Sequence, residues 1–244
     1  MNSYMSINLF TYWEGTKPDY IRLCEKIIDL KLSKNICHHK INFNNVYDYI
    51  PKQEFPDNFE DLPCLAHKAD YIRCLLTYLH EGIWLDLDQV LVTNLDDIYN
   101  LSSEYDYITY EWEPFNPSIG FFYASKNNEL MSLWHKKMRD KIESNVKLTW
   151  ESLGYELLWP ILRKMLDTNS LKYFAFPART SFAPLEWTEQ DKFFSVTYDM
   201  DFSNLHSVML YNSQIPQWFK NLSEREILNS NYFISKLLKR NYEI

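Results

Sequence analysis

Glycine is scarce in this chain of 244 residues, which contains only Gly15, Gly82, Gly120 and Gly154. Glycine normally makes up roughly 7% of a protein, so four residues are less than a quarter of the usual share. No two of them lie close enough to form a G-x-G-x-x-G fingerprint or a G-x-x-x-x-G-K-S/T loop. A glycine-rich amide loop is therefore not the means by which this protein binds a phosphorylated ligand.

Cysteine is also rare, and Cys24, Cys37, Cys64 and Cys74 form no C-x-x-C pair and have no metal-type spacing with histidine. This pattern is typical of reduced, mostly buried thiols in a cytosolic protein. The N-terminus lacks a basic segment followed by an apolar one, and no apolar run approaches the ~18 residues that a membrane span requires. We therefore expect a soluble, cytoplasmic protein without a signal peptide or a transmembrane segment.

Positive charge is in deficit, because 25 Lys and Arg residues stand against 33 Asp and Glu residues, for a net charge of -8. This balance argues against a nucleic-acid binder, which needs a basic surface to displace counterions. It leaves open a partner whose phosphates are held through a bridging cation. Aromatic residues make up 17% of the chain, which excludes a disordered protein and predicts a sizeable core.

Strand and helix patterns alternate along the chain, which predicts an α/β fold with parallel strands. The clearest helix is predicted over 65–81, where Leu65, Ala69, Ile72 and Leu76 recur at helical spacing and Gly82 follows as a left-handed cap. A helix is also predicted from Asp19, and others over 127–143, 151–167 and 222–240. Strands are predicted over 6–12, 35–43, 83–92, 106–110, 119–125, 172–176, 193–197 and 206–211.

Asp86 and Asp88 are the strongest chemical feature, because they lie within the apolar run Ile83–Val92. Buried carboxylates are costly unless they are paired or bound to a metal. If the run is one extended strand, the two carboxylates point to the same side. Aligned carboxylates at the end of a buried strand suit Mg²⁺ or Mn²⁺, and open α/β sheets bind their ligands at this position. The alternative is an exposed turn without function.

Asp70 and Arg73 come next, three residues apart on the helix that precedes this strand. Residues at this spacing share a helix face. The alternative is a plain surface ion pair, which is the usual explanation of an arbitrary Asp-x-x-Arg. The position of the pair just upstream of Asp86 and Asp88 favours a role in the same site.

The stretch from His67 to Asp88 resembles the DxD region of sugar-nucleotide glycosyltransferases. His67–Arg73 (HKADYIR) and Gly82–Asp88 (GIWLDLD) follow the pattern K-x-D-x-x-R, then L-x-x-x-G-G-I-Y/W-L-D-x-D, with Glu81 in place of the first glycine. The chain is most similar to the group that holds capsular-polysaccharide synthesis proteins and fungal mannosyltransferase relatives, and glucosylating bacterial toxins share the pattern. Leu9–Pro18 (LFTYWEGTKP) resembles the first strand and the Trp-x-Gly turn of this family.

The resemblance implies a GT-A type (Rossmann-like) fold, an α/β mixed sheet flanked by helices with a helical C-terminal part. It implies one domain over 1–244, with a nucleotide-sugar-binding half over 1–125 and an acceptor-side half over 126–244. Asp86 and Asp88 would hold Mn²⁺ or Mg²⁺ on the donor diphosphate. The implied donor-binding residues are Tyr12, Trp13, Gly15, Asp70, Arg73, Trp84 and Leu87. For Tyr12 and Trp13, ordinary packing in the core is the alternative.

The third metal ligand is open at this point. Relatives often place a histidine before an aromatic-Asn pair near the C-terminus, but Met209 stands at that position here and His206 lies three residues earlier. His206, Asn212, Ser213 or water could fill the place. A second D-x-D, Asp199–Asp201, has polar flanks and is expected to be a loop without metal.

Three residues are candidates for the acceptor side: Asn116 and Gly120, which follow the central strands, and Glu151, which begins a predicted helix. A loop or a solvated helix start without function is the alternative for each of them.

The resemblance therefore predicts a metal-dependent, retaining glycosyltransferase. It would transfer a sugar from a nucleoside diphosphate, UDP favoured, to a hydroxyl of a growing bacterial surface glycan such as capsule, exopolysaccharide or lipopolysaccharide. A lipid-linked acceptor would place the enzyme at the inner face of the cytoplasmic membrane. The alternatives are a haloacid-dehalogenase-like phosphatase or phosphotransferase that uses Asp86 and Asp88, and an inactive sugar-binding module.

Overall fold

The computed structural model describes residues 6–113 and 116–243. The chain divides into two compact units that interleave along the sequence. The first unit contains the described residues of Met1–Glu14, Asn35–Leu85 and Asp97–Ala175, and the second contains those of Gly15–Lys34, Asp86–Asp96 and Phe176–Ile244. The functional division at residue 125 predicted from the sequence stays a prediction, since these units are defined by packing alone.

The strands of the described residues are β1 (Ile7–Tyr12), β2 (Ile36–Ile41), β3 (Gly82–Leu85), β4 (Gln89–Leu91), β5 (Tyr107–Glu111), β6 (Pro117–Ala124), β7 (Tyr173–Pro177) and β8 (Ser207–Met209). The α-helices are α1 (Asp19–Lys31), α2 (Val46–Tyr49), α3 (Leu65–His80), α4 (Asp96–Leu101), α5 (Glu129–Glu143), α6 (Tyr155–Asp167), α7 (Ala178–Ser181), α8 (Gln217–Lys220), α9 (Glu224–Asn229) and α10 (Phe233–Tyr242).

The first unit is built on a six-stranded sheet in the order β2-β1-β3-β6-β5-β7. Strand β1 runs parallel to both β2 and β3, whereas β6 is antiparallel to β3 and β5. The sheet is therefore mixed. Helices α3, α5 and α6 pack beside it and share a core of buried aromatic and aliphatic side chains, among them Trp84, Phe122 and Trp134. This arrangement confirms the predicted fold class, a mixed α/β sheet flanked by helices.

The second unit contains the two-stranded antiparallel sheet β4-β8 and most of the C-terminal helices. Helix α1 packs against β4, α9 and α10, and it buries Ile21, Cys24 and Ile28 on its inner face. The C-terminal part is helical, as predicted, but the single helix expected over 222–240 is wrong. Ser230 is extended and ends α9, and α10 begins at Phe233. Ser and Asn side chains compete for backbone hydrogen bonds, which explains a break at Ser230-Asn231.

The predicted strand over 193–197 is wrong, because a 3₁₀ helix extends from Trp187 to Phe194 and the next residues are irregular. Within the described residues, no helix is both long enough and apolar enough to cross a membrane.

Gly82 is not the helix cap that the sequence predicts. Glu81 ends α3 with a φ of 58°, and Gly82 is already the first residue of β3, with a φ of 146°. Gly82 pairs with Asn8 of β1, and a Cβ atom built on it would lie 2.4 Å from the Asn8 carbonyl oxygen. The close approach of two paired strands, together with the positive φ, therefore requires glycine here.

Replacement of Gly82 by alanine should destabilise the sheet far more than replacement of Gly15. Gly15 also has a positive φ, of 84°, but a Cβ atom there would meet nothing within 4 Å. Gly15→Ala should cost about 1 kcal/mol for the left-handed backbone alone, and Gly82→Ala should cost clearly more, because β1 must move. Thermal unfolding followed by circular dichroism measures both. Equal decreases in Tm would contradict this explanation of Gly82.

Candidate active site

The segment Asp86–Asp88 is a turn and not part of a continuous strand. Strand β3 ends at Leu85, β4 begins at Gln89, and the Gln89 N–H donates to the Asp86 carbonyl oxygen at 3.2 Å, which closes the turn. The prediction of one strand over 83–92 is wrong in this respect. Both β3 and β4 are buried, so their side chains form one largely apolar run in the sequence. The two strands are separate because they pair with different partners.

Asp88 is held by the residues that follow β8. Its side chain is buried, with 9% exposure, and its Oδ2 accepts a hydrogen bond of 2.6 Å from the backbone N–H of Asn212. The Leu210 N–H donates to the Asp88 carbonyl oxygen at 2.9 Å. Asp86, by contrast, is half-buried. The turn therefore presents one carboxylate in a fixed, buried position and a second one nearer to the surface.

Two side chains of α1 belong to the surroundings of Asp88. Tyr20 is fully buried, and its hydroxyl donates a hydrogen bond to Oδ1 of Asn212. Burial raises the pKa of the Tyr20 hydroxyl well above its usual value, and the negative charge of Asp88 raises it further. Burial and Asp88, in the same order, raise the pKa of the Cys24 thiol. Both groups therefore stay protonated at neutral pH. No sequence motif marks Tyr20 as part of this site.

Of the candidates for a third metal ligand, Asn212 lies at Asp88 and His206 does not. His206 lies at the far end of the β4-β8 pair, where its carbonyl oxygen accepts the Val92 N–H at 2.8 Å. Its ring stacks on Phe182, with ring centroids 4.8 Å apart and planes 5° apart. The suggestion that His206 reaches the turn Asp86–Asp88, called the acidic turn below, is therefore wrong.

The acidic turn fits a cation that a substrate helps to hold. Within the described residues, no group of three or more His, Cys, Asp or Glu side chains is placed to hold a metal ion. Mg²⁺ is commonly bound through one or two carboxylates and substrate phosphates, without a complete protein cage. Carboxylate oxygens are also the ligand type that Mg²⁺ and Mn²⁺ prefer. Asp86 and Asp88 match this donor set.

In the first unit, Asp70 and Arg73 form a buried ion pair on α3. Arg73 Nη2 lies 3.3 Å from Asp70 Oδ1, and both side chains are about 5% exposed, at 6% and 5%. The Arg73 guanidinium also lies 5.0 Å from the centre of the Trp84 ring, and its Nη1 donates to the Ile119 carbonyl oxygen. The alternative of a plain surface pair is therefore wrong, because Arg73 connects α3 to β3 and β6.

Gly154, which belongs to no motif of the sequence, lies against this pair. It is the N-cap residue of α6, and a Cβ atom built on it would lie 3.0 Å from Asp70 Oδ2 and 2.5 Å from Ile119 Cδ1. The Asp70 carboxylate thus lies at the N-terminus of a helix, where a negative charge is favoured. The scarcity of glycine is the one sequence signal that could have drawn attention to this position.

The same tetrapeptide, Asp-Tyr-Ile-Arg, occurs at Asp19–Arg22 and again at Asp70–Arg73. In α1 the Arg22–Asp19 pair is 3.7 Å long and its side chains are 54% and 33% exposed. Four identical residues therefore form a surface pair in one helix and a buried pair in another. The tertiary surroundings decide between the two, and the molecule contains its own control for the buried pair.

Tyr12 and Trp13 differ in how much of each ring is accessible. Tyr12 is buried, its hydroxyl donates to Glu14 Oε2 at 2.7 Å, and burial followed by Glu14 raises its pKa well above the usual value. Trp13 is half-buried, and its indole Nε1 has no hydrogen-bond partner within the described residues. A base can stack only on an exposed ring face, so Trp13 is the better candidate. Gly15 is exposed.

The remaining candidates lie in different environments. Trp84 and Leu87 are buried, with 1% and 3% exposure, so their side chains offer almost no surface to a ligand. Asn116 is exposed and donates its N–H to the Glu113 carbonyl oxygen at 3.0 Å, in the connection between β5 and β6. Gly120 is buried within β6. Glu151 is exposed and precedes α6, which begins at Tyr155 and not at residue 151.

Curated proteins that resemble this chain are glycosyltransferases, although no protein-family model matches it. The O-glycosyltransferase PaGT of Phomopsis amygdali is 34% identical over 78 residues, which are 29% of this chain and 19% of that protein. The glycosyltransferase afumC of Aspergillus fumigatus is 28% identical over 110 residues, 39% of this chain and 28% of that protein. The matches thus span less than a third of either relative.

Solved structures that resemble the chain are also glycosyltransferases. The PaToxG glycosyltransferase has a TM-score of 0.48 and 14% identity, over 68% of this chain and 72% of that one. GlyE of Streptococcus pneumoniae TIGR4 has a TM-score of 0.48 and 13% identity, over 98% of this chain and 61% of that one.

Arg73→Ala should destabilise the protein much more than Arg22→Ala. Removal of one partner from a buried pair leaves an uncompensated charge and costs about 3 to 5 kcal/mol, whereas an exposed pair contributes less than about 1 kcal/mol. Urea denaturation of the two variants gives the comparison. Similar decreases in the free energy of unfolding for Arg22→Ala and Arg73→Ala would contradict the conclusion that the Asp70–Arg73 pair connects α3 to the sheet.

Proposed function

We propose that this protein is a metal-dependent, retaining glycosyltransferase of the GT-A type. It transfers a sugar from a nucleoside-diphosphate donor, with UDP-sugars favoured, to a hydroxyl of a growing bacterial surface glycan. The observation that carries the proposal is the acidic turn, in which Asp88 is buried and fixed by the Asn212 N–H. The similarity to proteins named as glycosyltransferases supports it, and one of them is named as an O-glycosyltransferase.

Asp86 and Asp88 are the residues that would hold Mn²⁺ or Mg²⁺ with the donor diphosphate. The cation would act as a Lewis acid that stabilises the negative charge of the departing diphosphate. Asp88 contributes a carboxylate whose orientation is already set by the Asn212 N–H. Since the chain has too few glycines for an amide loop, these carboxylates provide the alternative way to hold two phosphates.

Asp70 and Arg73 would bind hydroxyl groups of the donor sugar or ribose through the small part of their side chains that stays exposed, 5% and 6%. Their mutual ion pair and the bond from Arg73 to the Ile119 carbonyl oxygen fix both side chains before a ligand arrives. Such preorganisation lowers the entropy cost of orienting a substrate. Trp13, with its half-buried ring, would stack on the base, and Asn116, Gly120 and Glu151 remain the proposed acceptor-side residues.

In the reaction, the bond between the anomeric carbon and the diphosphate oxygen would break, and a bond to the acceptor hydroxyl oxygen would form on the same face of the sugar. The departing nucleoside diphosphate would take up the proton of that hydroxyl. No side chain is assigned as a nucleophile. The proposed acceptor is lipid-linked, which would bring a cytoplasmic enzyme to the inner face of the cytoplasmic membrane as a peripheral protein.

Asp88→Asn should abolish Mn²⁺-dependent hydrolysis of the donor while the protein stays folded. Loss of an outer-shell partner of a metal costs about 10- to 100-fold in activity, so loss of a ligand should cost at least about 100-fold. Asp199→Asn is the matched control, because Asp199 belongs to a second D-x-D in an exposed loop. Undiminished turnover of Asp88→Asn, or an equal loss in Asp199→Asn, would contradict the metal role.

UDP-sugars should raise the Tm of the protein in the presence of Mn²⁺, and GDP-sugars should raise it less. A ligand that binds only the folded state stabilises it by an amount that rises with the logarithm of its concentration relative to its Kd. Differential scanning fluorimetry with each nucleotide sugar, with and without Mn²⁺, tests this. The absence of any shift with every nucleotide, or hydrolysis of a simple aryl phosphate without nucleotide, would count against the proposed function.

A further inference from the structure

Tyr20 lies at the start of a chain of hydrogen bonds that ends at the Asp88 carboxylate. Its hydroxyl donates to Oδ1 of Asn212, and the backbone N–H of Asn212 donates to Oδ2 of Asp88 at 2.6 Å. Tyr20 is fully buried in α1, and its ring packs against Phe219, with ring centroids 5.9 Å apart. Tyr20, the first donor in this series of hydrogen bonds, thus belongs to a helix and not to a loop.

The bond from Tyr20 determines what Asn212 can contribute. The Asn212 side-chain oxygen accepts the tyrosine hydroxyl, so the amide has a defined orientation and its oxygen is already hydrogen-bonded. The group of Asn212 that reaches Asp88 is the main-chain N–H. Asn212 therefore orients the carboxylate of Asp88, and this role differs from that of the side-chain metal ligand suggested by the sequence.

The backbone that carries Asn212 needs to be held in place. The preceding residue, Tyr211, has a φ of 53° and a ψ of 73°, a left-handed conformation that is unfavourable for a residue with a side chain. The Tyr211 hydroxyl donates to the Leu185 carbonyl oxygen at 3.1 Å, and the Tyr20 bond holds the next residue along the chain. Without the Tyr20 bond, less would hold the Asn212 N–H in line with Asp88.

We propose that Tyr20 is a positioning residue for the cation site, which acts through Asn212 to fix the orientation of the Asp88 carboxylate. This inference rests on the proposed function, because it assigns a partner to the metal-holding Asp88. A carboxylate has about four lone-pair positions, and the Asn212 N–H occupies one of them. The chain of hydrogen bonds thereby determines which positions face the cation.

Tyr20→Phe tests the proposal, because it removes one hydroxyl and retains the ring. We expect Mn²⁺ affinity to fall about tenfold or more, as for other outer-shell partners of a metal. Because the diphosphate helps to hold the cation, electron paramagnetic resonance of free Mn²⁺ is recorded during titration of the protein with UDP present and compared with UDP alone, which measures the affinity without turnover. Tyr71→Phe is the matched control. Tyr71 is the fully buried tyrosine of the second Asp-Tyr-Ile-Arg, and its hydroxyl donates to the Glu54 carbonyl oxygen at 2.7 Å.

Tyr71→Phe should lower the Tm without a change in Mn²⁺ affinity, which separates positioning from stability. Asn212→Ala removes the same hydrogen bond from its other end and should show the same loss as Tyr20→Phe, so it also serves if Tyr20→Phe does not fold. Wild-type affinity in Tyr20→Phe or Asn212→Ala, with binding abolished in Asp88→Asn, would overturn the inference and leave the proposed function standing. Wild-type affinity in Asp88→Asn would overturn both.

Discussion

The burial of the Asp88 carboxylate is the constraint around which the second unit is organised. A buried carboxylate is costly unless hydrogen bonds or a cation compensate it. Strand β8 pairs with β4 in antiparallel register, so the residues that follow β8 lie beside Asp88. Leu210 and Asn212 donate their backbone N–H groups to it. Helix α1 then supplies Tyr20 behind Asn212. Hydrogen bonds around Asp88 thus connect α1, the acidic turn and the residues after β8, which are distant in sequence.

The first unit meets a similar demand by another route. Asp70 is compensated by Arg73 on its own helix, and Arg73 is in turn fixed by the carbonyl oxygen of Ile119 and the ring of Trp84. The pair therefore serves as a structural connection between α3 and the sheet. A side chain with this many protein contacts has little conformational freedom.

Sequence periodicity was sufficient for α1, α3 and α5, because these helices bury one regular face. It predicted parallel strands, whereas β6 is antiparallel to β3 and β5, and only the family resemblance implied a mixed sheet. Periodicity failed at residues 83–92, since two buried strands with different pairing partners produce one apolar run, and only the pairing of β4 with β8 reveals the turn. Periodicity also did not predict which residues lie beside Asp88, because this depends on strand pairing. Whether His206 or Asn212 reaches Asp88 depends on the β4-β8 register, and Tyr20 has no local signal at all.

The scarcity of glycine has a further structural consequence, because left-handed backbone positions fall on other residues. Among the described residues, Asn127, Asn145 and Asn169 tolerate this conformation, but Glu81, Leu95 and Tyr211 do not belong to that class. Glu81 precedes β3 and accepts a hydrogen bond of 2.7 Å from the Tyr123 hydroxyl, and Tyr211 precedes Asn212. A glycine at either place would relieve the backbone but would also allow more conformations. The bond from Tyr123 fixes the Glu81 side chain before β3, and the bond from the Tyr211 hydroxyl to the Leu185 carbonyl oxygen helps to keep the backbone beside Asp88 in one conformation.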